Sequence, residues 1–562
     1  MFHVSPNLTS ISNPIEADFY LIIDNWDDWF TFNTQYSLFY YTKDEWKSIG
    51  SVKIGQIGLG KIDEDQPETD ENRNRRPQLP NEFEQLDKNF FSLGQSEDYY
   101  LYLGSNKSLR IILSKLNDCA YNIQLNETFK DERVYYDSLR RFIDQTKLDL
   151  FKELAQGNEK PKDYNYSFKY PENIIVEYPQ DSDSINFLVR AKSKPPTNIN
   201  AIIGSNGVGK TYLLSLIMQQ LYEKAKHLNI LQSLPFTKVI FVSFSNFDAP
   251  PQHYKTIRLK FEYVGYTSKE EDIQNNKHEE SENNQVVNTD IQNDDLASRF
   301  ANSIYTINMM ECCKERWNNI MRNLEYDPLL NECNKKLNFV LEKNNKETII
   351  NESKNIFCSL SSGHSIILLI FSRLVELVER RTLILIDEPE SHLHPPLLSA
   401  FIRSLSWLMQ TRSAMSIVVT HSPIVLQEIP REATWIINRI NAKTIITKPK
   451  IETFGENIGL IMNDIFKFEI NRTGYINLLK EEITKAKDDL EVEELNSIKR
   501  KIIKDSSIEE ELDKDELKKL KDELNKEGIS KNELIYILIL YRFHKALGEE
   551  AKSILFNLIM SE

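Results

Sequence analysis

At 562 residues, with 40% hydrophobic and 27% charged side chains and a mean hydropathy of −0.45, the chain has the composition of a folded protein with a large core, which excludes collagen-like, fibrous and wholly disordered classes. A formal net charge of −15 repels a phosphate backbone on average and excludes a surface given over as a whole to nucleic acid. The longest apolar run, Leu534 to Tyr541, has eight residues, well short of the ~20 that cross a bilayer. The first residues also lack the basic, apolar and small-residue pattern of a secretion signal, so the sequence predicts a cytoplasmic protein with no membrane partner. Cys119, Cys312, Cys313, Cys333 and Cys358 form no CxxC pair, so reduced, mostly buried thiols are expected rather than a disulfide or zinc framework.

In chain order, FYLIID, YSLFYY and SVKIGQIGL between residues 18 and 58 read as strands, giving a strand-rich part over 1–60. A solvated run from Lys61 to Pro80 precedes a helical pattern to about Leu154, assigned as a helical lobe over 61–165. After a second polar stretch from Gln156, strands near Ile174–Tyr178 and Asn186–Lys192 lead into a glycine-rich segment, and 166–260 is assigned as a core. A helical insertion over 261–355 carries the polar run between Thr267 and Asp295, too polar to bury anything and predicted to be a mobile loop. The core resumes over 356–470. Residues 471–562 are Lys/Glu-rich with helical spacing and end in the apolar stripe LIYILILYRFHKALGEEAKSILFNLI, which predicts a helical C-terminal region. No repeat of fixed period is visible.

Gly204, Ser205, Asn206, Gly207, Val208, Gly209, Lys210 and Thr211 fit GxxxxGK[ST] in full, after the apolar AII and before the helical TYLLSLIMQQLYEKA. That context is the one a P-loop requires. Glycines let backbone N–H groups approach phosphates, Lys210 would neutralise the β- and γ-phosphates, and the Thr211 hydroxyl would ligate Mg2+. TLILIDE, residues 382–388, is a buried-strand pattern ending in two carboxylates. Asp387 would hold the metal through water, and Glu388 would polarise the attacking water. On its own such a pair is also an ordinary acidic turn after a strand, and the P-loop upstream decides against that.

Leu360, Ser361, Ser362, Gly363 and His364 resemble the LSGGQ signature of ABC ATPases and open the helical run SIILLIFSRLVELVERR. Small residues at a helix N-terminus present N–H groups and a positive dipole to an anion, here a γ-phosphate held by the P-loop of a second copy. A plain serine N-cap has the same local look; position between the P-loop and TLILIDE favours the signature. SLGQ at 92–95 precedes the P-loop and is set aside. Pro389–Pro395 resembles a D-loop, and its His392 and His394 lack a third metal ligand nearby in sequence. SIVVTHSP ends an apolar strand at His421, which resembles the switch histidine that senses the γ-phosphate. VIFVSFSNFD, 239–248, stands where a Q-loop is expected yet offers Ser243, Ser245, Asn246 and Asp248 and no glutamine.

These motifs, in this order, identify the chain as a member of the ABC/SMC ATPase superfamily. The resemblance implies an α/β fold, an ABC/SMC-type P-loop ATPase head with an inserted helical lobe and a helical C-terminal region. It also implies ATP and Mg2+ as cofactors and self-association into a head-to-head dimer or higher oligomer. The spacing from Lys210 to Leu360 is too short for the long coiled coils of true SMC proteins. SFSNFD, DEPESHLHPPL, THSPIVLQE and TFGENIGLIMNDIF together resemble PtuA, the ATPase family of Septu-type antiphage systems, over roughly residues 185–470. That resemblance implies a sensor or scaffold working with an HNH nuclease, PtuB, and in retron versions with a reverse transcriptase and its msDNA.

Two other readings compete. An OLD-family nuclease would need a TOPRIM unit after His421, which the helical charge pattern there does not resemble. His544 has no second histidine nearby for an HNH site, and Arg542 lies too close to it for an Arg-x4-His ribonuclease motif, so no nuclease site of the chain's own is expected. A RecF-like ATPase would clamp DNA through basic residues such as Arg431, Arg439, Lys443, Lys448, Lys450 and Lys499–Arg500–Lys501, for which solvated charge is the commoner explanation.

Overall fold

The computed structural model describes residues 1–24, 32–43, 45–60, 75–141, 143, 145–157, 163–179, 182–227, 235–244, 254, 256, 259–265, 289–343, 345–440, 442–470, 474–492, 530–543 and 547–560. The chain divides into two compact units, Met1–Ile458 and Gly459–Glu562.

Two sheets organise the first unit. Strands β1 (Phe2–Ser5), β2 (Phe19–Ile23), β3 (Gln35–Thr42), β4 (Glu45–Gln56), β5 (Glu82–Phe83) and β6 (Phe90–Gly94) pair in the order β5-β1-β2-β3-β4-β6. Only the β1/β2 pair is parallel. The sheet thus runs past residue 60, because Phe83, Phe90, Phe91 and Leu93 bury on the same core as Phe2, Leu21 and Leu38. The SLGQ run spans the end of β6, with Ser92, Leu93 and Gly94 inside the strand and Gln95 just after it. Helices Glu97–Ser105 and Gln145–Ala155 pack on one another and seal that core.

The second sheet collects β8 (Val176–Glu177), β10 (Ile199–Ile203), β11 (Lys238–Ser243), β12 (Lys260–Val264), β13 (Thr382–Asp387), β14 (Met415–Thr420), β15 (Thr434–Ile440) and β16 (Lys443–Thr447) in the order β12-β11-β13-β14-β10-β15-β16-β8. From β12 to β15 all neighbours are parallel. β10, β11, β13 and β14 are buried along their whole length, as expected of parallel strands covered on both faces. A small antiparallel pair, β7 (Tyr164–Phe168) with β9 (Ile185–Val189), adds its aromatics to the same core.

This strand order matters for function. Parallel strands place their C-terminal ends, and the loops that follow, along one edge of the sheet. The loop after β10, the carboxylates after β13 and the histidine after β14 come from three adjacent strands, with β14 in the middle.

Helices Thr289–Met309, Glu311–Leu324, Pro328–Leu341 and Lys346–Cys358 form the insertion, and the first two pack on helix Ser362–Leu377. The polar run between Thr267 and Asp295 falls largely outside the described residues. In the second unit, helices Gly474–Val492, Lys531–Arg542 and Glu549–Met560 gather around Leu479, Ile483, Leu534, Ile539 and Leu555. Among the described residues no helix is long and apolar enough to cross a membrane.

Candidate nucleotide site

β10 stops at Ile203, and the loop from Gly204 to Gly209 delivers the chain into helix Lys210–His227. Gly207 and Gly209 have φ of +80° and +97°, a region that costs L side chains roughly 1–2 kcal/mol. Space around both is open. At Gly204 the constraint is different: a Cβ would lie 2.1 Å from the Ile437 carbonyl oxygen of β15, so any side chain would push the loop off the sheet. Val208 packs toward the core, whereas Asn206 and Thr211 are exposed. The Lys210 side chain is 4% exposed and its Nζ donates to the carbonyls of Gly204 at 3.0 Å and Ser205 at 3.1 Å.

Asp387 closes β13, only 2% exposed, in register with Ser243 of β11 and Val419 of β14. Ser243 is the one Q-loop candidate within the described residues; Ser245, Asn246 and Asp248 lie outside them. At Glu388 the backbone turns left-handed, φ 40° and ψ 62°, and its N–H donates to the Val419 carbonyl at 3.0 Å. This turn swings the carboxylate off the strand axis. Glu388 Oε1 comes to 3.7 Å from Lys210 Nζ and 3.8 Å from His421 Nδ1. Lys210, Glu388 and His421, separated widely in sequence, therefore meet at one point.

Glu390 fixes the histidine. Its Oε1 accepts the Thr420 hydroxyl at 2.7 Å and the His421 N–H at 2.6 Å, and lies 3.1 Å from His421 Nδ1.

The signature segment forms a separate cluster. Ser361 is the N-cap of helix Ser362–Leu377 but makes no side-chain cap bond; its Oγ lies 2.6 Å from His364 Nδ1. His364 Nε2 lies 3.1 Å from Asp327 Oδ2. Ser361 and Ser362 are exposed, Leu360 and Gly363 half-buried, His364 buried. A Cβ at Gly363 would lie 2.7 Å from the His392 carbonyl oxygen, so glycine lets the signature press against the D-loop. The two D-loop histidines divide: His394, and not His392, brings a donor atom within 4.8 Å of those of Asp327 and His364. Burial opposes the Asp327 carboxylate, yet the bonds from His364 and from the Leu330 and Leu329 N–H groups outweigh it and hold its pKa below the usual value.

Sequence reasoning did not single out Glu390 or Asp327. Glu390 was visible only as a D-loop residue, and Asp327 could have been flagged as the N-cap before Pro328, since its Oδ1 accepts the Leu329 and Leu330 N–H groups. The basic residues after His421 are largely spent on protein partners. Arg431 donates to Pro449, Lys443 pairs with Glu177, and Lys448 donates to the Glu432 carbonyl while its Nζ sits 3.6 Å from the centre of the Trp435 ring.

The donor set fits a nucleoside triphosphate with Mg2+. Left-handed glycines open a backbone cradle, a buried ammonium faces it, a hydroxyl stands in the first helical turn and a buried carboxylate ends β13, one strand removed from β10.

This fold and this cluster define a P-loop ATPase of the ABC/AAA kind. Residues 247–427 match the family described as "AAA domain, putative AbiEii toxin, Type IV TA system", a span holding the signature, Asp387, Glu388 and His421. Over 500 residues the chain is 30% identical to protein ea59 of Escherichia phage lambda, covering 83% of this chain and 89% of that protein. The chain belongs to the family of that phage protein. A solved structure titled "An inward-facing conformation of a putative metal-chelate type ABC transporter" aligns at 18% identity over 54% of this chain and 89% of its own, with a TM-score of 0.26, too low to bear on fold or function.

Proposed function

We propose that the chain binds and hydrolyses ATP with Mg2+, that two copies close head to head across bound nucleotide, and that the closed state acts as sensor and scaffold of an antiphage complex, controlling a partner HNH nuclease. The meeting of Lys210, Glu388 and His421 at the ends of adjacent parallel strands carries this reading. When bound, Mg2+ neutralises developing phosphate charge. The glycine loop and Lys210 hold the triphosphate, Thr211 and Asp387 hold the metal, and Glu388 orients the attacking water while Lys210 keeps its carboxylate in place. His421, anchored by Glu390, faces the γ-phosphate. Ser361 and Gly363 of the opposite copy complete the pocket.

The defence half rests on the resemblance to PtuA, whose retron versions add a reverse transcriptase and msDNA, and on the match of residues 247–427 to the family described as "AAA domain, putative AbiEii toxin, Type IV TA system". The partners of this chain are then a second copy, a PtuB-like nuclease and, in a retron setting, nucleic acid.

Glu388→Gln is the test. It keeps the shape of the side chain and removes its basicity, so ATP binding should persist while turnover falls at least about 100-fold. Size-exclusion chromatography with light scattering should show an ATP-dependent dimer. Normal turnover in that variant would remove Glu388 as the base, and a chain that stays monomeric with ATP would remove the two-copy site. Co-expression with a PtuB-like HNH nuclease should yield a complex; failure to form one would sink the defence half alone.

A further inference from the structure

The side chain behind the signature serine is wired to a carboxylate in the insertion. Ser361 Oγ sits 2.6 Å from His364 Nδ1, and His364 Nε2 sits 3.1 Å from Asp327 Oδ2. Asp327 Oδ1 is committed elsewhere, accepting the N–H groups of Leu329 at 2.9 Å and Leu330 at 3.2 Å. A carboxylate only accepts, so the Nε2 contact is N–H···O. In a neutral imidazole the other nitrogen is then an acceptor. The Ser361 hydroxyl hydrogen must point inward to Nδ1, and the serine turns lone pairs outward, the wrong face for a phosphate oxygen.

A second proton on the ring, taken from solvent, reverses this. Nδ1–H then donates to Ser361 Oγ, and the serine's own hydrogen is released outward to donate. We propose that Asp327 and His364 are positioning residues that make the signature serine a phosphate donor only when His364 is protonated, so that closing on the triphosphate of the facing copy takes up one proton. The proposal rests on the two-copy reading above.

The titratable groups near the His364 ring are Asp327 from the turn before helix Pro328–Leu341 and His394, while the backbone oxygen of His392 lies against the adjacent Gly363. His394 caps helix Pro395–Arg412 by accepting the Leu397 N–H at 3.4 Å. Because His364 commits both ring nitrogens to protein partners, the trio is a closed relay rather than an open cation site.

ATP-driven dimerisation in the Glu388→Gln background, measured by analytical ultracentrifugation from pH 6.5 to 8.5, tests the relay. Dimer affinity should fall as pH rises, and one coupled proton contributes up to about tenfold per pH unit. Asp327→Asn separates relay from scaffold: its Oδ1 still caps Leu329 and Leu330, while its NH2 now donates to His364 Nε2. The neutral ring then carries its proton on Nδ1 and Ser361 is set for phosphate at every pH. The slope should drop by about one proton relative to the parent, and the His364 15N resonances should move from the Nε2–H to the Nδ1–H tautomer. His364→Gln cannot titrate and must lose the same slope, which keeps the test open if the Asn chain fails to fold. An unchanged slope in a folded variant overturns the relay and leaves the two-copy reading intact. Unchanged dimerisation in Ser361→Ala at all pH values shows that the serine takes no part in closing and overturns the relay, whereas a parent chain that stays monomeric with ATP overturns the two-copy reading itself.

Discussion

A single carboxylate oxygen, Glu390 Oε1, gathers the Thr420 hydroxyl, the His421 N–H and His421 Nδ1 from a side chain only 9% exposed. Hydrogen bonds to a charged group contribute about 1.5–3 kcal/mol each, so this one acceptor decides where His421 stands. Glu390→Ala should therefore lower kcat by about 10- to 100-fold while changing ATP affinity less than threefold, because the P-loop contacts of Lys210 do not pass through Glu390. Steady-state turnover and nucleotide titration on the same preparation check it; a loss of affinity equal to the loss of kcat would place Glu390 in binding instead. At this scale the sequence was legible where chemistry is contiguous. Gly204 to Thr211 is one unbroken run, and its left-handed positions fall on glycine at Gly207 and Gly209. Glu390 and Asp327 were not legible, because their partners lie 30 and 37 residues away in sequence and no local spacing encodes such a contact.

Between elements, a buried ion cluster joins the helix that follows the D-loop to two others. Arg316 forks onto both oxygens of Asp98 at 2.9 Å, Arg412 reaches Asp98 at 2.8 Å and the Val378 carbonyl at 3.0 Å, and Glu97 accepts the Arg380 N–H at 2.7 Å. The cluster clamps helix Glu97–Ser105 of the first lobe to helices Glu311–Leu324 and Pro395–Arg412. Burial alone would raise the Asp98 pKa, but Arg412 and Arg316 outweigh it and hold it well below its ordinary value. A depressed carboxylate adds stability above its unfolded pKa of about 3.9 and loses it as pH falls through the folded value. Asp98→Asn should cost about 3–5 kcal/mol at pH 7, since Arg316 stays buried without its counter-charge and Arg412 keeps only Glu97, 3.5 Å away, and the penalty relative to wild type should shrink under acid conditions. Urea unfolding at pH 7 and at about pH 2.5, below the unfolded carboxyl pKa, reads this, and a loss below 1 kcal/mol at pH 7 would show the cluster to be solvated. Apolar runs announced β10, β11, β13 and β14, since a strand covered on both faces has no other composition. β5 and β6 escaped notice because two to five residues beside a long polar run carry too little periodicity, and the clamp escaped because its partners are 218 and 314 residues apart.

At the scale of the whole molecule, every residue placed around the nucleotide lies before Ile458, where the first unit ends. The second unit has an apolar core of its own, built from Leu479, Ile483, Leu534, Ile535, Ile539 and Leu555. The sequence announced those helices through their apolar stripe, yet nothing in a stripe names a partner, since a surface is read only by what fits it. The division of cores makes a sharp expectation for a chain ended after Ile458. The parallel sheet, the glycine loop, Glu388 and His421 remain intact, so Mg-ATP should bind within about threefold of the full chain by calorimetry. If the C-terminal helices dock the nuclease proposed above, co-purification of a PtuB-like protein should be lost while ATP-driven pairing of the Glu388→Gln heads persists. Loss of ATP binding on truncation would show that the first unit depends on the second for its fold. Retention of the nuclease by the shortened chain would move the docking surface to the insertion between β12 and β13.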